Sequence, residues 1–112
     1  MPSFARRSLP WNATEIRELY HDARFGSDFL RCLKAKIDRD DFDAYAKRLN
    51  LSETYDPKLH ADLVMSWNGC DEPWWNPPKT RDGVRFETAN GANFYAMALW
   101  HEGHVYFKVF SW

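Results

Sequence analysis

Residues 93–112 read NFYAMALWHEGHVYFKVFSW, and the pairing of their two halves decides the fold. Glu102-Gly103 is a hairpin junction, because a two-residue turn needs positive φ and glycine adopts it freely. That turn sets His101 opposite His104, Trp100 opposite Val105, Ala98 opposite Phe107 and Ala96 opposite Val109. Side chains alternate along a strand, so Ala96, Ala98, Trp100, their partners and Phe94 share one face. The two alanines leave a hollow there, which suits a helix lying on the sheet. The other face carries Tyr95, Met97, Leu99, Tyr106 and Phe110. Both faces are therefore apolar. An antiparallel sheet commonly keeps one face wet, so this ribbon needs a second cover.

Working upstream, VRFETA (84–89) is a third strand that meets residues 93–101 at Asn90-Gly91, and it adds Val84 and Phe86 to the second face. Before it lies a long irregular stretch, 51–83. Asp56-Pro57 opens a short helix there, with Leu59, Leu63 and Trp67 on one side. The segment DEPWWNPP (71–78) fits neither helix nor regular strand. Only 51–83 has the aromatic mass to serve as the second cover. Burying one aromatic ring removes roughly 150–250 Å² from water, worth at most about 4–6 kcal/mol. A domain's whole stability is only about 5–15 kcal/mol. At least one of Trp74 and Trp75 is thus expected to be buried, with a loop carbonyl accepting from its indole N–H.

Residues 39–49 form the helix for the first face. Asp38 suits the N-cap, Asp40 and Asp41 the positive end of the dipole, and Phe42, Tyr45, Ala46 and Leu49 make one apolar stripe. Ile37 and Phe42 stand in the positions of a hydrophobic staple, and Asn50 tolerates the left-handed cap. Ahead of the helix, FLRCLKAKI (29–37) alternates as a strand, with Phe29, Leu33, Ala35 and Ile37 on one face, interrupted by Arg31. Residues 12–25 read two ways. Asn12 with Glu15 resembles a capping box before helically spaced apolar residues. FGSD (25–28) resembles a turn that would make 15–22 the hairpin partner of the next strand, and this second reading is preferred. Residues 1–11 read as an N-terminal arm with little to bury. The expected fold is a single α+β domain over 1–112. Its antiparallel sheet has about five strands (β-β-α-loop-β-β-β), one main helix on one face and an aromatic, proline-rich loop on the other.

Net charge is −1, from 15 basic and 16 acidic residues. This balance argues against a nucleic-acid or anionic-membrane surface, both of which need concentrated positive charge. No apolar run follows Arg6 and Arg7, so neither a signal peptide nor a membrane span is read, and the expected location is the cytoplasm. Cys32 and Cys70 lack CxxC or Cys/His spacing. Two reduced thiols are the preferred reading, with a long-range disulfide as the alternative if the chain is exported.

No motif carries recognisable chemistry. His101-Glu-Gly-His104 is not the helical HExxH of zinc peptidases; its histidines flank a hairpin turn and lack an evident third ligand, with His21 and His60 remote in sequence. Exposed turn residues are the favoured reading, and no metal or cofactor is expected. The run DRDDFD (38–43) lacks the glycine and glutamate of a calcium loop, and a charged helix start explains it. Asp71 and Glu72 beside Trp74-Trp75 suggest a sugar-active pair, but adjacent side chains diverge. No serine has the nucleophile-elbow context, and Cys70 has no partner for catalysis. GHVYFKVF lacks the aromatic spacing and charge of an RNA-binding strand.

Leu9-Pro10 with Ala13, the strand-to-helix join at 37–49, Trp74-Trp75-x-Pro77 and the terminal aromatic strands together resemble small uncharacterised bacterial proteins. The resemblance implies an α+β domain and no established activity. The functional expectation is a non-enzymatic domain that binds another protein, of the inhibitor, immunity or accessory kind. Its contact surface would be the aromatic loop edge (Trp67, Trp74, Trp75) and the turn at His101 and His104. The alternative is a small-ligand or carbohydrate pocket lined by the same tryptophans, and an undetected enzyme is a third.

Overall fold

The computed structural model describes residues 3–22, 29–59, 67–80, 82–88 and 94–111. The chain is α+β, and its centre is a six-stranded antiparallel sheet. In chain order the elements are α1 (Phe4–Arg7), β1 (Thr14–Asp22), β2 (Phe29–Lys36), α2 (Arg39–Arg48), β3 (Glu53–Thr54), β4 (Arg85–Thr88), β5 (Phe94–His101) and β6 (His104–Ser111). The strand order is β1-β2-β6-β5-β4-β3. The C-terminal strand β6 therefore sits inside the sheet, between β2 and β5. The sixth strand, beyond the five expected, is the short edge β3.

The β5–β6 register follows the turn chemistry. His101 opposes His104, Trp100 opposes Val105, Ala98 opposes Phe107 and Ala96 opposes Val109. Glu102 and Gly103 both take positive φ, 49° and 85°, as a two-residue hairpin turn requires. The β4–β5 pair differs. A two-residue turn at Asn90-Gly91 would set Phe86 against Tyr95, but Phe86 faces Met97. The shift is two positions, and a shift of two preserves the face. Val84 and Phe86 consequently still pack with Met97 and Leu99 on the second face. Asn90 and Gly91 themselves lie outside the described residues.

Residues 14–22 are a strand, not a helix, and pair with β2. The register shifts between Thr14 and Arg17, where Glu15 adopts φ 51°. This bulge sits at the residue that a capping box would have used. The turn expected at 25–28 lies outside the described residues. Arg31, which interrupted the apolar face of β2, reaches Glu18 on β1 at 2.9 Å and stacks on Tyr20.

The first sheet face is covered as the alanines required. Phe42, Tyr45 and Ala46 of α2 and its C-cap Leu49 join Ile37, Leu51, Ala96, Ala98, Val105 and Phe107 in one buried cluster. Ile37 and Phe42 both lie in that cluster, as a staple places them. The helix ends in a Schellman arrangement: Leu51 N–H donates to the Ala46 carbonyl and Asn50 N–H to the Lys47 carbonyl. Asn50 holds the left-handed conformation at φ 60°.

The arm expected at 1–11 is docked over part of its length. Ser3 caps α1 by accepting from the Arg6 N–H, and Ala5 and Ser8 are buried. Tyr45 Oη donates to the Ala5 carbonyl at 3.0 Å, and Arg48 Nε donates to the Ser8 carbonyl at 2.8 Å. The arm has little apolar mass of its own, so its anchoring comes from α2 side chains some 40 residues away in sequence and from Glu18 of β1, which accepts from Ser3 Oγ. A local reading cannot see such partners. Burial holds the Tyr45 phenol far above its ordinary ionisation range.

Candidate functional site

The second face is closed by Trp67–Thr80, the role expected of the middle segment. Trp75 is 8% exposed and meets Tyr106 of β6 edge-on, with ring centroids 5.7 Å apart. Its indole Nε1 donates to the Trp67 carbonyl at 2.8 Å, the loop acceptor that a buried indole needs. Trp67 and Trp74 pack on Trp75, with centroids 6.0 and 6.2 Å away, and both stay partly exposed. Asn76 fastens the far end: its Oδ1 accepts from Lys34 Nζ at 2.6 Å and from Tyr106 Oη at 3.2 Å. The expected helix after Asp56-Pro57 is a single turn as far as Leu59, where Lys58 N–H donates to Asp56 Oδ1. Leu63 and His60 lie outside the described residues.

The cysteines correct the sequence reading. Cys32 and Cys70 form a disulfide with their Cα atoms 6.6 Å apart. Reduced thiols are the reading that an expected cytoplasmic location favours, and the disulfide is the alternative that the structure bears out. Only the return of the loop onto β2 brings them together.

Lys108 lies at the middle of the same face, 5% exposed. It stands opposite Cys32 on one side and Met97 on the other. Its ammonium donates to the Asn68 carbonyl and lies over the Phe110 ring. Burial disfavours the charged amine and lowers its pKa to about 8. The sequence did carry a signal for this residue, a lone cation between Tyr106 and Phe110 on a strand face otherwise apolar.

The loop's own residues line a concavity of about 640 Å³, among them Trp67, Asn68, Cys70, Asp71, Trp75 and Lys79. The Trp67 indole Nε1 is buried and finds no acceptor among the described residues. Such a hollow falls within the size range of ligand sites.

The other expected site residues, His101 and His104, lie at the β5–β6 turn, away from the tryptophan cluster along the same face. His101 approaches Glu102 and His104 approaches Glu15, each at 3.8 Å. Among the described residues no three His, Cys, Asp or Glu side chains gather as metal ligands.

At this end of the sheet the structure adds residues that the sequence reading did not select. Trp11 is 96% exposed. Its neighbour Asn12 lines a hollow of about 220 Å³ with Asp38, Arg39, Trp100 and Gly103. Trp100 Nε1 donates to the Ile37 carbonyl at 3.0 Å, and Arg39 lies over the Trp100 ring. The signal for Trp11 was its place between Pro10 and Asn12, in a turn closed by Ala13 N–H donating to the Pro10 carbonyl.

No family model, curated protein or solved structure matches the chain. Among the described residues no helix is long and apolar enough to cross a membrane.

Proposed function

We propose that the chain is a small non-enzymatic domain that binds another protein, of the inhibitor, immunity or accessory-subunit kind. In this reading the contact surface is the end of the sheet formed by Trp11, Arg39, Trp100 and the His101–His104 turn. The observation that carries it is the bare Trp11 ring, 96% exposed. A tryptophan left in water forgoes several kcal/mol of burial, and tryptophan and arginine dominate the energetics of protein interfaces. The disulfide supports an oxidising compartment as the place of action, in place of the cytoplasm expected from the N-terminal sequence.

The test begins with a photoreactive residue at position 11, and at Lys79 as control, in the native host. A captured protein is then purified and its affinity measured directly. Trp11→Ala is expected to weaken binding by roughly 30-fold or more, the effect of losing a hot-spot side chain, with unchanged circular dichroism. Equal affinity of the variant, or capture from position 79 alone, refutes the reading.

A second reading is favoured by the concavity that Trp67 helps to line. A small neutral ligand, such as a carbohydrate, would occupy it against the Trp67 and Trp75 side chains that line it. Titration with mono- and disaccharides is then expected to quench tryptophan emission, and Trp67→Phe to weaken the effect. Flat emission at millimolar sugar counts against it.

A further inference from the structure

The two sulfurs of the Cys32–Cys70 bond stand in unlike surroundings. Cys32 is wholly buried in β2, and Lys108 of β6 is its directly opposed cross-strand neighbour. Opposed residues of an antiparallel pair share a face, with Cβ atoms roughly 4.5–5.5 Å apart. Cys70 is also buried, at 7% exposure, but forms part of the wall of the concavity of about 640 Å³. Thiol–disulfide exchange needs access to one sulfur and a good leaving thiolate at the other. A neighbouring cation stabilises a thiolate. The bond has both.

We propose that Cys32–Cys70 is an exchange site for a dithiol reductant, attacked at Cys70 through the concavity, and that its opening releases Trp67–Thr80 from the sheet. In the first step the incoming thiolate sulfur bonds Cys70 Sγ, and the Cys32–Cys70 bond breaks. Cys32 leaves with the electron pair as a thiolate beside the Lys108 ammonium, and then takes a proton from solvent. The reagent's second thiol, deprotonated, attacks its own sulfur in the mixed disulfide. Cys70 departs as a thiolate and is protonated in turn. The products are two cysteine thiols and the oxidised, cyclic reagent, so two electrons have passed to the protein. A disulfide-form partner drives the reverse sequence and closes the latch.

Release of the cover follows from how it is held. Among the described residues no backbone hydrogen bond joins 67–80 to a strand. Besides the disulfide, side chains hold it: Lys34 and Tyr106 to Asn76, Lys108 to the Asn68 carbonyl, and Trp75 packed on Tyr106. The first-face core contains no residue from 67–80, so α1, α2 and the sheet remain folded when the cover leaves. The released face presents Met97, Leu99 and Tyr106.

The experiment uses the oxidised full chain in native buffer. Dithiothreitol is added over a range of concentrations, thiols are counted by alkylation and mass, and tryptophan emission is followed. The reduction rate is expected to rise in proportion to dithiothreitol, with emission shifting red and far-ultraviolet dichroism retained. Glutathione with acid quench and peptide mapping is expected to place the adduct on Cys70, leaving Cys32 open to alkylation. Lys108→Met is expected to slow native-state reduction at least tenfold, and Lys108→Arg to restore most of the rate. If Lys108 served packing alone, its loss would loosen the cover and speed reduction, which overturns its assigned role. A reduction rate independent of dithiothreitol and equal to the rate of global unfolding overturns the proposal, as does an adduct on Cys32. If neither Lys108 variant folds, the concentration dependence and the adduct position on the unmodified chain decide.

Discussion

Raising the pH from 7 to 9 should stabilise this protein, through Lys108. The amine is buried beneath the Trp67–Thr80 loop, and its pKa falls from 10.5 to about 8 because burial penalises the charged form. The unfolded chain keeps the ordinary value. Between the two values the unfolded state therefore binds more protons than the folded one, and stability rises with pH in that window. Below about pH 8 the full cost of burying the charge is present, and it is relieved as pH climbs towards 10.5. One pKa unit corresponds to about 1.4 kcal/mol, so the gain from pH 7 to 9 is about 1.4 kcal/mol. With an unfolding entropy of about 2.1 cal/mol/K per residue, that is a rise of about 6 °C in Tm for a chain this size. The assay is urea unfolding at pH 7 and pH 9, run in parallel on the wild type and Lys108→Met. Histidine and terminal contributions are common to both proteins, so the difference isolates Lys108. A wild-type rise no larger than that of the variant would refute the argument. Above about pH 10 the sign reverses. The buried Tyr45 phenol resists ionisation in the folded state, so the unfolded chain then releases more protons and stability falls with rising pH.

Replacing both Cys32 and Cys70 by serine opens a loop of 38 residues. Chain entropy predicts a loss of about 4 kcal/mol, or about 17 °C in Tm; calorimetry showing under 1 kcal/mol would contradict the tying role of the bond. Trp75→Ala is expected to cost about 3–5 kcal/mol, because it removes the ring that closes the second face, whereas Trp11→Ala should stay within about 0.5 kcal/mol. Chemical denaturation of the two variants tests the contrast, and comparable losses would reverse the assignment of packing and exposure. Asn50→Ala forces a Cβ-bearing residue without a local polar group into the left-handed cap and should cost about 1 kcal/mol, while Asn50→Gly should be neutral or slightly stabilising. Thermal melts in which both variants match the wild type would show that the cap conformation is not strained.

The last two strands and the helix were legible because their determinants are local. Glu102-Gly103 sets a register by turn geometry alone, and alternation then assigns every residue of β5 and β6 to a face. The helix carries its own staple and its own left-handed stop within a dozen residues. Even the need for a second cover was readable, since a ribbon apolar on both sides cannot leave one in water, and Trp75 was among the rings available. The β4–β5 register escaped because the connection between those strands is longer than its Asn-Gly dipeptide suggests. Trp11 and Lys108 were visible as anomalies, a large ring in a turn and a cation on an apolar face, but their exposure and burial were not.

What the sequence determined by itself, then, was the class of fold, the β5–β6 pairing, the helix and its face, and the identity of the covering segment. The tertiary structure alone decided that β6 lies between β2 and β5, that Cys32 meets Cys70, and that α2 side chains pin the N-terminal segment through Tyr45 and Arg48. The physical reason is distance along the chain. Turns, caps and alternation act over a few residues and leave a mark on each of them. A disulfide across 38 positions or a hydrogen bond across 40 has no local pattern, and arises only when the folded backbone brings its partners together.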